Sequence, residues 1–401
     1  MRVLRKILFQ LHMWLGLGLG LLLIALGLSG SVLVYDDVIL DFLAPAPHVT
    51  AQGTPRSLDQ LIAAARASTT TRGPATVTPA SEAGAPAMVR IGAAGRGGAP
   101  AQANGARGEG RGAARGEGRG AARGEGVPGR GRGPAVQIYV DPVSGTVMGT
   151  APAALPPILA FAHQLHGNFL MAQPGRRFVG YLGLAMVILG ISGLVLWWPK
   201  KGQWRHAFIV RRTAKGLRFH RELHGMLGIW MYVVFIAVSF SGMALAWPQV
   251  MGMPNVGSNA RPAPVVEALA GAEPIGADAA LALVKAKMPD MTVRSVMVPQ
   301  RRAIEQGQPI TVSFSAHGAV NATAYVDPLR AQVMDVRDPS ESFMAWQRPV
   351  HQGLLGPVWR FLVFLSGFLP AVFVFTGVFM WLKKRQNRMS MSVALGLEPA
   401  E

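Results

Sequence analysis

Cysteine is absent from the 401 residues. This excludes disulfides, thiolate-ligated iron–sulfur clusters and covalent haem attachment through C-x-x-C-H, so any haem would have to be held non-covalently. Acidic residues are scarce: 21 Asp and Glu against 39 Lys and Arg give a formal net charge of +18. That excess could suit nucleic acid. The basic residues, however, are spread over the flanks of apolar stretches and a low-complexity loop. Contact with anionic lipid accounts for them, and no nucleic-acid partner is expected. A dinucleotide fingerprint is also missing. Gly16-x-Gly18-x-Gly20 lies inside an apolar stretch rather than after a strand, which makes it a helix-packing pattern. No small-residue cleavage site follows the first apolar stretch, so despite the basic flank of Arg2, Arg5 and Lys6 it reads as an uncleaved anchor.

Long apolar runs are present. Leu15 to Tyr35, Phe178 to Trp198, Leu227 to Trp247 and Phe361 to Trp381 are each apolar for about 20 residues, enough to cross a hydrocarbon core of roughly 30 Å. Each ends in an aromatic residue suited to the headgroup layer. The pattern predicts an integral membrane protein in contact with the lipid bilayer. Lys200, Lys201, Arg205, Arg211, Arg212, Lys215, Arg218 and Arg221 crowd the segment between the second and third runs. Lys383, Lys384, Arg385 and Arg388 follow the fourth. Both termini and the basic loop are therefore expected on the cytoplasmic side, with the two long loops outside. Four spans without charged, broken helices disfavour a transporter.

The expected organisation is a span over 1–35, an outer module over 36–160, a pre-span segment and second span over 161–198, and a cytoplasmic loop over 199–223. A third span (224–247), a second outer module (248–345), a pre-span segment with the fourth span (346–382) and a cytoplasmic tail (383–401) complete it. Each module shows a helical spacing, Leu58, Leu61, Ile62 and Ala65 in the first and Ala279, Leu281, Leu283, Val284 and Met288 in the second. A strand and turn follow, Val136–Val140 into Asp141-Pro142 and Thr323–Val326 into Asp327-Pro328. Two small α+β modules on a mainly α, four-helix membrane core are the expected fold. Within the first module, residues 92–134 carry Arg-Gly-Glu-Gly-Arg-Gly-Ala-Ala at a period of eight. Such a glycine density with no apolar face predicts a disordered insertion.

The chain reads as two copies of one unit. Phe9-Gln10-Leu11-His12 returns as Arg221-Glu222-Leu223-His224, Ser29-Gly30 as Ser241-Gly242, and Tyr35 as Trp247. Tyr139-Val140-Asp141-Pro142 returns as Tyr325-Val326-Asp327-Pro328, His166 as His351, and Ser192-Gly193 with Trp197 as Thr376-Gly377 with Trp381. The repeat pairs the histidines. His12 and His224 fall at one depth on two helices, where a planar macrocycle could take one imidazole on each axial face, as in a six-coordinate b-type haem. His166 and His351 repeat the arrangement outside, on segments that could be interfacial helices. His163 and His220 share faces with His166 and His224 and are secondary candidates with second-shell or solvent roles open. His48, His206 and His317 are expected to be structural or solvated. Boundary histidines bonded to headgroups, or a zinc or copper site, are the competing readings. Neither face shows a clear carboxylate or thiolate partner for such a metal. The Ser/Thr-Gly pairs late in every span are expected to be packing positions with a hydrogen bond across the bundle. Arg176, Arg177 and Arg360 flank the outer site, where they could meet haem propionates, attract an anionic substrate or anchor the interface.

The Leu-His openings at His12 and His224, the Tyr-Val-Asp-Pro turns, the pre-span His166 and His351 and the Ser/Thr-Gly endings together resemble the PepSY-associated transmembrane helix family. The resemblance covers nearly the whole chain apart from the Arg-Gly-Glu insertion. It departs at Leu329-Arg330-Ala331, where the family's turn has Thr or Ser before Gly. It implies a bacterial inner-membrane protein, often iron-regulated, similar to haem-containing reductases of ferric siderophores. On that footing His12, His224, His166 and His351 would ligate the iron of two b-type haems, and a ferric siderophore or other metal chelate would be reduced outside. The loop over 199–223 is too short for a flavin or nicotinamide domain, so electrons would come from a separate cytoplasmic donor or from quinol. The family name also admits a non-enzymatic regulator whose modules bind a peptidase or other periplasmic partner. A homodimer is left open.

Overall fold

The computed structural model describes residues 2–92, 135–152, 154–252, 261–315 and 318–394. The body of the Arg-Gly-Glu insertion, His317 and the last residues of the tail lie outside the described residues. The first half runs α1 (Arg2–Val34), α2 (Asp36–Leu43), α3 (Leu58–Ala67), β1 (Ala75–Thr78), β2 (Ala87–Ile91), β3 (Val136–Val140), β4 (Val147–Thr150), α4 (Pro157–Asn168) and α5 (Ala172–Trp197). After α6 (Trp204–Ala207) the order repeats with α7 (Gly216–Trp230), α8 (Tyr232–Ala246), α9 (Ala277–Lys287), β5 (Thr292–Val298) and α10 (Arg301–Glu305). It closes with β6 (Ile310–Ser315), β7 (Ala322–Asp327), β8 (Gln332–Arg337), α11 (Gln347–His351), α12 (Pro357–Ser366) and α13 (Leu369–Ala394).

Among the described residues, three helical spans are long and apolar enough to cross a membrane: Val3–Val34, Pro174–Trp197 and Pro357–Ser390. The expected third span is not one straight helix. It is α7 and α8, bent by 67°. Met231 (φ −97°, ψ 6°) ends the first and starts the second, while the Trp230 indole N–H donates to the Phe208 carbonyl at 3.0 Å and ties the end of α7 to the basic loop. α1 packs against α4, α5, α12 and α13, and α8 against α5, α11 and α12. Only about a third of each apolar window is buried inside the protein (33%, 33% and 28%). The outward remainder, including Leu21, Ile191 and Phe375, suits an acyl-chain environment.

Basic residues gather at one end of this helical layer. Arg5 donates to the Leu196 carbonyl at 2.7 Å, Lys384 lies over the Phe9 ring and Arg385 over Trp381. The sheet and its helices follow from the other end.

The strands form one antiparallel sheet in the order β4-β3-β2-β1-β5-β6-β7-β8. The two expected α+β units, α3 with β1–β4 and α9 with β5–β8, are joined in it: β1 pairs with β5 (Ala75↔Val298, Thr76↔Met297, Val77↔Val296) and fuses the halves. Each half alone would expose an unpaired edge at that strand, and pairing removes both edges at once. Alternation puts Val77, Val89, Ile138, Val296, Val312 and Val326 on one buried face, packed with α3 and α9. Burying each such side chain stabilises the fold by about 1.5–3 kcal/mol. The spacing read in α3 is the buried one, Leu58, Leu61, Ile62 and Ala65. In α9 the fully buried positions are Ala277, Ala280 and Val284, with Leu281, Leu283 and Met288 of the expected stripe packed against the same core and Ala279 exposed.

The two helices cap one another. The Asp278 carboxylate accepts from the Leu58 and Asp59 amides, both at 2.9 Å, and the Asp59 carboxylate accepts from the Ala277 and Asp278 amides at 2.7 and 3.2 Å. Carboxylates at helix N-termini satisfy amides that have no partner within the helix. The repeated turns also agree. Asp141 accepts from Val143 and Ser144, and Asp327 from Leu329 and Arg330, at 2.8 and 3.1 Å in each case. The departure at Leu329-Arg330-Ala331 therefore leaves the turn intact: Ala331 takes φ +51° where Gly145 takes +74°.

Candidate functional site

Both histidine pairs inferred from the repeat are brought together. At the basic end, His12 on α1 and His224 on α7 have ring centroids 6.2 Å apart, inclined at 69°. Nearer the sheet, His166 on α4 and His351 at the end of α11 have centroids 5.8 Å apart and inclined at 33°, with Nε2 facing Nε2 at 3.5 Å.

In all four residues the other ring nitrogen is occupied. His12 Nδ1 meets Ser192 Oγ at 2.9 Å, and His224 Nδ1 meets Thr376 Oγ1 at 2.7 Å. A hydroxyl has one proton, and Thr376 gives its own to the Val372 carbonyl at 2.8 Å, as Ser192 does to Leu189 at 3.2 Å. The remaining lone pair accepts Nδ1–H. His166 Nδ1 meets the Leu26 carbonyl at 2.9 Å, and His351 Nδ1 meets the Val238 carbonyl at 3.0 Å. A carbonyl can only accept, so these rings also carry their proton on Nδ1 and leave the Nε2 lone pair free.

Glycines give the rings their space. A Cβ at Gly30 would lie 2.8 Å from His166 Cε1, and one at Gly242 would lie 2.8 Å from His351 Cε1. At Gly193 the distance to His12 Cε1 would be 3.3 Å, and at Gly377 nothing lies within 4 Å. The Ser/Thr-Gly pairs therefore do more than pack helices. In Ser192-Gly193 the hydroxyl orients one imidazole and the glycine clears it; in Thr376-Gly377 the hydroxyl does so beside open space. Ser29 differs, since its hydroxyl turns to the Ala25 and Leu26 carbonyls; Ser241 contacts His351 Nδ1 at 3.2 Å.

Repeat-equivalent residues meet in the two histidine pairs, in the β1–β5 seam and in the Asp59–Asp278 cap exchange. Contact between equivalent positions is what a two-fold requires. One pseudo-two-fold relation thus runs through the helical layer and the sheet. An imidazole–metal bond of about 2.0–2.1 Å puts two opposed Nε2 atoms about 4 Å apart, half an ångström beyond the sheet-side separation. The sheet-side pair could therefore hold one metal between two imidazoles. Among the described residues no group of three or more His, Cys, Asp or Glu could hold a metal, so the other ligands would have to come from a cofactor.

Residues 9–384 match the family described as PepSY-associated TM region. The chain belongs to that family. It is also similar to an uncharacterized protein of Pseudomonas aeruginosa, 25% identical over 272 residues that cover 60% of this chain and 67% of the relative.

The other candidates read from the sequence fall around the pairs. His163 Nε2 lies 3.5 Å from Asp36 Oδ2, at the start of α2. His220 stacks on Phe379 at 3.8 Å between centroids, with a buried Nδ1 that has no hydrogen-bond partner. His48 Nδ1 is bonded to the Val49 carbonyl, and His206 is exposed on α6. Arg176 donates to the Leu245 carbonyl at 2.6 Å. Arg360 donates to the Val34 carbonyl at 2.9 Å, pairs with Asp37 and covers the Tyr35 ring at 4.5 Å. Arg177 is exposed. Arg176 and Arg360 thus hold helix ends in place.

Sequence reasoning passed over Arg348, an exposed basic residue on α11. It stands three residues before His351, as His163 stands before His166. Aligning the repeats through that position would have found it. The Leu26 and Val238 carbonyls could not be found that way, because a backbone acceptor leaves no mark on residue identity.

Proposed function

We propose that this membrane protein holds two b-type haems and passes electrons from the cytoplasmic side to a periplasmic ferric siderophore or other ferric chelate. His12 and His224 would hold one haem iron at the basic end, and His166 and His351 the other nearer the sheet. The observation that carries the reading is the sheet-side pair, with both Nδ1 atoms on carbonyls and both Nε2 atoms turned to one point. Bound haem would supply one-electron redox chemistry at two depths of an insulating layer.

The chain's own residues have three tasks in this reading. Ser192, Thr376 and the Leu26 and Val238 carbonyls hold the imidazoles in one tautomer, which is how outer partners orient metal ligands. Gly30, Gly242 and Gly193 leave room for the rings. Arg348, beside His351, adds positive charge where a propionate or an anionic chelate would arrive. The clustering of basic residues at the His12–His224 end supports a cytoplasmic location for that end, an inner-membrane location, and periplasmic placement of the sheet as PepSY modules. One electron per iron converts Fe(III) to Fe(II), which hard oxygen ligands hold less tightly. A separate cytoplasmic reductase, a small carrier or quinol would deliver that electron.

Sealed proteoliposomes with a reductant trapped inside and a ferric chelate plus an Fe(II)-trapping dye outside test the proposal. Dye coloration above the protein-free rate, abolished by His351→Ala, is the expected result. Equal rates with and without protein would contradict it.

A further inference from the structure

A second feature lies in the sheet layer, away from the histidines. Where the first strand of each half meets the other, a half-open cavity of about 250 Å³ is lined by Arg66, Thr71, Arg72, Gly73 and Ile91 from the first half and by Gln300 and Arg301 from the second. Its wall is closely built. A Cβ at Gly73 would lie 2.7 Å from the Gly92 backbone, so the turn before β1 is pressed against the end of β2.

Three guanidinium groups surround this space, and their compensation is uneven. Arg301 pairs with Glu273 at 2.9 Å and approaches Glu305 at 3.5 Å. Among the described residues no ion pair includes Arg66 or Arg72, and Arg66 Nη2 is buried with no hydrogen-bond partner. Burial and the neighbouring Arg72 hold the Arg66 guanidinium below its ordinary pKa. Arg66 also sits in the last turn of α3, where a cation interacts favourably with the helix dipole. That effect does not supply an acceptor for the buried nitrogen, nor does it offset the repulsion from Arg72. A partly buried, unpaired charge is costly, whereas the fork of a guanidinium fits two oxygens of a carboxylate or phosphate.

We infer that this cavity is a binding site for a small oxyanion of at least two negative charges, of polycarboxylate or phosphate type, clamped between the two halves of the sheet. Its size fits a compact ion or one charged arm of a larger molecule. Arg66 and Arg72 supply the uncompensated charge from one half, and Gln300 and Arg301 close the site from the other. The site stands independently of what the histidine pairs hold.

Isothermal titration of the full-length protein in detergent, with citrate and with inorganic phosphate at an ionic strength fixed by chloride, tests the inference. Saturable one-to-one binding of at least one of them is expected. Arg66→Gln and Arg72→Gln should each weaken it about ten-fold or more, the scale of a lost charge-assisted hydrogen bond. Arg302→Gln removes an exposed charge next to Arg301 that does not line the cavity and should change it less than two-fold. Because Arg72 is on an exposed turn, its variant decides the matter if Arg66→Gln fails to fold. Absence of saturable binding by both anions, or equal weakening by Arg302→Gln and Arg72→Gln, would overturn the inference.

Discussion

The two histidine pairs solve one problem with different materials. At the basic end the Nδ1 protons go to side-chain hydroxyls, Ser192 and Thr376, and the rings stand at 69° to one another. Nearer the sheet they go to the carbonyls of Leu26 and Val238, and the rings are within 33° of parallel. A carbonyl in the middle of a helix is fixed by the backbone and survives any side-chain change. A hydroxyl can be lost in one mutation. The sheet-side pair is therefore sensitive to what crowds its rings, and the basic-end pair to what orients them.

That contrast can be broken most severely at the ligands. His166→Ala or His351→Ala should remove the sheet-side haem and spare the other, while His12→Ala or His224→Ala should do the reverse. Haem quantified per chain checks this, and four variants that all keep the full complement would show the ligand assignment to be wrong. Glycine substitutions come next. Gly30→Val or Gly242→Val drives a side chain into an imidazole and should strip most haem from the sheet-side site, whereas Gly377→Ala, with open space around it, should leave the spectrum unchanged.

Hydroxyl removal should have an intermediate effect. Thr376→Ala and Ser192→Ala are expected to weaken haem retention at the basic end by about 10–100-fold, the usual cost of losing an outer-sphere partner, with Thr376→Ser close to the parent in competition with apomyoglobin. Ser29→Ala, whose hydroxyl faces its own helix, should be silent. A loss as large as that of Thr376→Ala would show that the two sites are oriented alike. The smallest effect is expected from deleting Gly105 to Gly126: membrane insertion and haem content should match the full chain, and loss of folding would make the insertion structural.

Much of the site was legible in the sequence because the duplication pairs distant residues. The match of His12 with His224 and of His166 with His351 places partners that no local pattern connects. The spans and the α3 face were legible for the usual reasons, length and periodicity. The central seam was not. β1 has four residues, too few for alternation to stand out, and its partner β5 lies in the other half of the chain. The break at Met231 has neither proline nor glycine at the junction of α7 and α8, so the third span read as continuous. Ala331 shows the opposite case: its residue type argues against a left-handed turn, and the Asp327 carboxylate bonded to two amides holds the turn regardless.

The most direct measurement is a reduced-minus-oxidised absorption spectrum of the full-length protein in detergent, purified from cells supplied with haem and quantified by pyridine haemochrome. Two b-type haems per chain are predicted, each lost separately with its own histidine pair. A protein that folds and inserts but carries no haem would contradict the account and make the paired imidazoles structural.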